Sequence, residues 1–105
     1  MVIIETSVFT RQVQKLLDNE SYRQLQSLLV ARPQWGKIIR GSGGLRKVRW
    51  RTQHHGKRGG VRVIYYWIVD GNKLLMLLMY PKNAQEDLTP AQLKILKQIV
   101  EAELS

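Results

Sequence analysis

The run from Val61 to Val69, VRVIYYWIV, constrains the fold of this chain more than any other stretch. Its residues are β-branched or aromatic at almost every position, and beyond Arg62 both parities are apolar. Side chains alternate across a strand, so such a run is a central strand with helices covering at least one side. Asp70-Gly71-Asn72 is a turn signal, and Lys73 to Tyr80 is a third long strand forming a hairpin with it. In a chain of 105 residues this hairpin is the centre of one domain, residues 1–105, large enough to bury a core without metal or disulfide staples.

The remaining segments supply the layers. Val2 to Ile4 reads as a first strand, and Thr6 or Ser7 caps a helix carrying Phe9, Val13, Leu16 and Leu17 at helical spacing. Ser21 with Gln24 forms a possible capping box for a second helix striped by Leu25, Leu28 and Leu29, which Pro33 ends. Two helices joined this closely make a hairpin that needs a sheet to cover. Gln34 to Gly44 is a long loop in which Trp35 and Ile38–Ile39 serve as core or edge anchors and Gly41, Gly43 and Gly44 make a tight turn. Thr89-Pro90-Ala91-Gln92 starts a last helix with a cap, a proline at the first helical position and the box glutamine. Leu88 and Leu93 can staple its start, and Leu93, Leu96 and Val100 face inward. The expected class is α+β, in the order β-α-α-β-β-β-α. A twisted antiparallel sheet is packed with an N-terminal helical hairpin and a C-terminal helix.

Leu45 to Thr52 alternates, with Arg46, Val48, Trp50 and Thr52 on one face and Leu45, Lys47, Arg49 and Arg51 on the other. Val48 and Trp50 face the core in this reading, which lines up Lys47, Arg49 and Arg51 at ~7 Å intervals, close to the phosphate spacing of a nucleic-acid strand. The net charge is +9, and between Glu20 and Asp70 there are eleven Lys or Arg and no acid. A polyanion suits that surface better than a merely solvated face does, with Arg46, Arg51, Lys57 and Arg58 as further RNA contacts. Arg62 is either an exposed strand end or a cation at the mouth of a buried strand that needs an anion. His54 and His55 lie on a glycine-punctuated loop and lack a third ligand for a metal.

Several classes are excluded or disfavoured. There is no cysteine, which rules out disulfides and thiolate chemistry and fits a reducing cytoplasm. The N-terminus lacks the basic and apolar regions of a signal peptide, and the apolar runs fall far short of the ~20 residues of a membrane helix. The basic window holds no carboxylate cluster of the kind metal nucleases use, so no metal and no cofactor is expected.

The segments GSGGLRKVR (Gly41 to Arg49), GKRGGVRVIYYW (Gly56 to Trp67) and the exit from Tyr80 to Thr89 together resemble the RelE/HigB family of type II toxin–antitoxin toxins, nearest its HigB-like branch. The resemblance spans nearly the whole chain. It implies a ribosome-dependent endoribonuclease that cuts translated mRNA in the decoding site, and a nearby-encoded, DNA-binding antitoxin. It also implies catalytic roles for Lys47, Arg49, Arg62 as the phosphate-stabilising arginine, and Lys82. Asn83 and Ala84 follow Lys82 where relatives carry Arg or His, and Leu88-Thr89 stand in place of a family tyrosine.

Metal-free cleavage uses the RNA's own 2′-hydroxyl as nucleophile, leaving a cyclic phosphate and a 5′-hydroxyl. Cations must then neutralise the phosphorane, and Arg62, Lys47, Arg49 and Lys82 suit that work. A lysine crowded by arginines is easier to deprotonate, which makes Lys47 one candidate base; His54, His55, Tyr80 and Asp87 are the other acid–base candidates. Asp87 has a plain alternative, since an acid before a helix N-terminus favours the dipole. Two non-enzymatic readings stand beside the nuclease. One is a basic domain that binds RNA or the ribosome and blocks translation; the other is a partner that only titrates an antitoxin.

Overall fold

The computed structural model describes residues 1–51 and 60–105. Its elements are β1 (Val2–Glu5), α1 (Ser7–Leu16), α2 (Asn19–Ala31), β2 (Lys37–Ile38), β3 (Arg46–Trp50), β4 (Val61–Ile68), β5 (Lys73–Pro81) and α3 (Pro90–Leu104). The strands form one sheet in the order β1-β5-β4-β3-β2. β4 is interior, as its double-sided apolarity requires, with β5 and β3 antiparallel on its two sides.

Two features differ from the expected plan. β1 runs parallel to β5, with Val2 opposite Lys73 and Glu5 opposite Met76. A parallel neighbour needs a long connection, and the whole of α1 through β4 supplies it. The segment read as loop also contains the two-residue edge strand β2, antiparallel to β3 with Lys37 opposite Lys47.

The helix starts follow local chemistry. The Thr6 hydroxyl accepts from the Phe9 amide and caps α1. Asp18, not Ser21, caps α2, its carboxylate accepting from the Ser21 amide at 2.7 Å. Ser21 is instead inside the helix, where its hydroxyl accepts from Trp50 Nε1 at 2.9 Å. A carboxylate at the positive end of a helix is a strong cap, which explains why the earlier acid wins. At α3 the Thr89–Gln92 box forms with Pro90 in the first turn, as read from the sequence.

Each face of the sheet has its own core. Phe9, Val13, Leu17, Leu25 and Leu29 of the helical hairpin pack on Val48, Val61, Val63, Tyr65, Leu74, Met76 and Met79. On the opposite face Leu96 and Val100 of α3 pack on Leu45, Ile64, Leu75, Leu77 and Tyr80.

The two cores assign adjacent β5 residues in an order that simple alternation cannot produce. Leu75 and Leu77 face α3, which would put Met79 there and turn Tyr80 toward the hairpin. A register shift between Ile64 and Tyr65 of β4 leaves Leu77 unpaired, and beyond it Leu78 and Tyr80 face α3 while Met79 faces the hairpin. The shift is a β-bulge, and α1 together with its cap residue Thr6 satisfies backbone groups beside it. The Thr6 hydroxyl donates to the Leu77 carbonyl at 2.9 Å, and Gln12 Oε1 accepts from the Met79 amide at 2.9 Å.

Candidate active site

The bulge sets the site. With β5 rephased, Arg49, Arg62 and Tyr80 stand directly opposite one another across β3, β4 and β5, on the face that α3 covers only in part. Lys47 lies two residues back along β3 on the same face, opposite Ile64. Neighbouring strands are ~4.8 Å apart, so these side chains project into one small region. Gly60 holds the end of β4 against β3, with φ at +66°; a Cβ there would lie 2.2 Å from the Trp50 carbonyl oxygen. Only glycine allows that approach, and it fixes where β4 begins and hence where Arg62 stands.

Arg62 is not an exposed strand end. It is 2% exposed, among the most buried large side chains of the described residues. Its Nη2 donates to Glu86 Oε1 at 3.3 Å, while the adjacent Nε–H is buried without a partner among the described residues. Arg49 Nη2 lies 4.0 Å from the same Glu86 oxygen. Lys47 Nζ donates to Asp87 Oδ1 at 2.9 Å. Two consecutive carboxylates from the segment between β5 and α3 thus meet Lys47, Arg49 and Arg62.

The acid–base candidates are distinguishable by their surroundings. Burial, with Asp87 and Glu86 nearby, raises the Tyr80 pKa above that of an ordinary phenol, and Arg62 only partly opposes the shift. Tyr80 therefore keeps its proton near neutrality and is a donor, not a base; its hydroxyl donates to the Glu86 carbonyl oxygen at 3.4 Å. The hydrogen bond and charge of Lys47 lower the Asp87 pKa, so this carboxylate stays ionised and is a weak proton acceptor.

The remaining residues spread out. Lys82 and Arg51 are exposed at the same end of the sheet, where the Lys82 amide donates to the Gly60 carbonyl at 3.2 Å. Arg46, read as an RNA contact, belongs to the other face. Its Nη1 donates to the carbonyls of Gln34 at 3.0 Å and Gly36 at 2.8 Å, so it is a clamp on the segment before β2. His54, His55, Lys57 and Arg58 lie outside the described residues. Among the described residues no group of three or more His, Cys, Asp or Glu is placed to hold a metal ion. Sequence reasoning missed Glu86. The available signal was that Glu86–Asp87 is the only acidic pair between Asp70 and Glu101, in the segment leaving the strand that pairs with Arg62.

No protein-family model matches the chain. Among solved structures it is similar to a double mutant of the E. coli toxin RelE in the free state, with a TM-score of 0.59 and 19% identity over 81% of this chain and 86% of that one. It is also similar to the intact E. coli RelBE toxin–antitoxin complex, with a TM-score of 0.56 and 17% identity over 74% of this chain and 92% of that one. A single α+β domain with the fold of RelE is what the geometry and these likenesses establish.

Proposed function

We propose that this chain is the toxin of a type II toxin–antitoxin pair, of the HigB-like branch, acting in the cytoplasm as a ribosome-dependent endoribonuclease on translated mRNA. The observation that carries the reading is Arg62: a buried guanidinium with an open Nε–H, flanked by Arg49 and Lys47. Burying a cation is costly unless an anion meets it, and one carboxylate oxygen at 3.3 Å uses only half of the fork formed by Nε and Nη2. A phosphate offers two oxygens to that fork. In this reading Glu86 and Asp87 stand where a scissile phosphate would bind, and RNA displaces them.

The reaction needs no metal. The 2′-oxygen of one ribose attacks the adjacent phosphorus and gives up its proton, the bond to the 5′-oxygen breaks, and that oxygen takes a proton. The products are a 2′,3′-cyclic phosphate and a 5′-hydroxyl. Arg62, Arg49 and Lys47 neutralise the phosphorane, where one well-placed donor is worth on the order of 10²–10³ in rate. Lys82 at the rim adds charge toward the substrate, and Tyr80, holding its proton, suits the leaving oxygen. The ribosome supplies substrate geometry, an entropic contribution that can dominate where the protein base is weak. The partners in this reading are the ribosomal A site with its mRNA and an antitoxin whose acidic or amphipathic segment covers the basic face.

A second reading is a domain that binds the ribosome and blocks it without cutting. Its support is that Tyr80 is held protonated and Asp87 is held by Lys47. Purified ribosomes programmed with mRNA separate the two. New 5′-hydroxyl ends are the expected result. Stalling without new ends overturns the nuclease and leaves the blocker.

A further inference from the structure

Trp35 is a large apolar side chain that the core does not absorb. It is 39% exposed, and its ring meets that of Trp50 edge-on, with centroids 6.4 Å apart and planes at 87°. It borders a cleft of about 420 Å³ whose other walls are Lys37, Lys47, Val48 and Arg49. That volume falls within the roughly 300–1,000 Å³ of ordinary small-ligand sites. Among the described residues the lining carries three cations and no acid. The pairing of β2 with β3 stops at Lys37 opposite Lys47, so among the described residues the edge of β3 beyond Lys47 has no strand partner beside Trp35.

The backbone that carries this indole is fixed from both sides. Arg46 grips the carbonyls of Gln34 and Gly36, the residues flanking Trp35. The Trp35 amide donates to the Arg32 carbonyl at 2.9 Å. The Gly36 amide donates to the Tyr65 hydroxyl at 2.8 Å, and that hydroxyl donates to the Pro33 carbonyl at 2.7 Å. A Cβ on Gly36 would lie 2.8 Å from the Tyr65 ring, so the segment is seated against a buried side chain. An exposed aromatic on a preorganised backbone, beside cations spaced along a strand, combines the two parts of a single-stranded nucleic-acid site. One part stacks bases and the other grips phosphates.

We propose that this cleft takes one nucleobase of single-stranded RNA, stacked on Trp35, with the neighbouring phosphates on Lys37, Lys47 and Arg49. The inference rests on the RNA-directed reading of the adjacent cations and extends it by a base pocket. Arg49 belongs to both, so a strand crossing the sheet from Trp35 passes Arg49 and reaches Arg62. The stacked base therefore flanks the scissile phosphate and sets its position over the buried arginine.

The test uses a short labelled RNA made uncleavable by 2′-O-methyl groups, and the same RNA with one abasic position walked along it, titrated by fluorescence anisotropy. The intact strand should bind about 10-fold more tightly than the strand lacking the stacked base, the scale of one base–aromatic stack. Trp35→Ala should lose that factor for intact RNA and bind the abasic strand as the wild type does; Trp35→Phe should retain most of it. Equal wild-type affinity for intact and abasic strands overturns the proposal and needs no variant. So does a Trp35→Ala protein, folded by its melting curve, that weakens intact and abasic RNA alike. The nuclease reading fails separately, when the wild type discriminates the abasic strand yet makes no new ends on ribosomes.

Discussion

The two faces of the sheet share every strand and carry different burdens. β4 sends Val61, Val63 and Tyr65 to the helical hairpin and Arg62, Ile64 and Tyr66 to the α3 face. Toward the hairpin the packing is apolar along most of the strand. Toward α3 it is apolar beneath Leu96, Val100 and the half-buried Leu93 and Ile99, and at the other end it gives way to Lys47, Arg49 and Arg62, met by two carboxylates from a loop. One face is packed almost wholly by apolar side chains, and the other gathers Lys47, Arg49 and Arg62 against Glu86 and Asp87.

If this division is right, substitutions on the two faces should fail in different ways. The largest effect belongs to the hairpin face. Phe9→Ala removes a fully buried ring and should cost about 3–5 kcal/mol in denaturant unfolding. RNA binding by the molecules that remain folded should be unchanged. A loss of binding in the folded fraction would mean that the two faces are coupled through the sheet.

Arg62→Met should behave in the opposite way. The change removes a buried ion whose partner Glu86 is 54% exposed and stays solvated, so no buried charge is left unpaired and the melting temperature should hold or rise. Single-turnover cleavage on ribosomes should fall by roughly 10²-fold or more. Arg62→Lys should recover little of it, since an ammonium keeps the charge but not the planar fork. Wild-type cleavage by folded Arg62→Met would remove Arg62 from the chemistry.

A smaller change should follow from opening the anionic cover. Glu86→Gln with Asp87→Asn should strengthen RNA binding roughly 3- to 10-fold at low salt, the effect shrinking as salt screens the exposed charges. The control is Glu101→Gln with Glu103→Gln, the same charge change far along α3. Equal gains from both pairs would reduce the cover to general electrostatics.

The smallest effect is a titration. Lys47 lowers the Asp87 pKa in the folded protein, so the pair is fully formed above the ordinary carboxylate value and is lost as pH falls through the lowered one. A carbon-detected NMR titration should place the Asp87 midpoint below the ordinary value, and Lys47→Met should return it upward. An unmoved midpoint would show that the two groups do not meet in solution.

What was readable in the sequence was what adjacent residues decide among themselves. The alternation of Leu45 to Trp50, the double-sided run of β4, the Thr89–Gln92 box and the glycine-rich turn before β3 all have short-range causes. Together they were enough to derive the α+β class and to put Lys47 and Arg49 on one face. Tertiary structure decided what depends on partners distant in the chain. The parallel pairing of β1 requires β5, formed some seventy residues later. The bulge that turns Tyr80 toward Arg62 leaves no mark in a run of apolar residues, because either phase buries a hydrophobe, and it is stabilised by Thr6 and Gln12 from the other end of the chain. Arg46 and Arg49 look alike in the sequence, yet one clamps carbonyls under Trp35 and the other opens to solvent. Charge is a local property of a residue, but its use depends on which groups the fold brings within about 4 Å of it, and only the packed chain determines that.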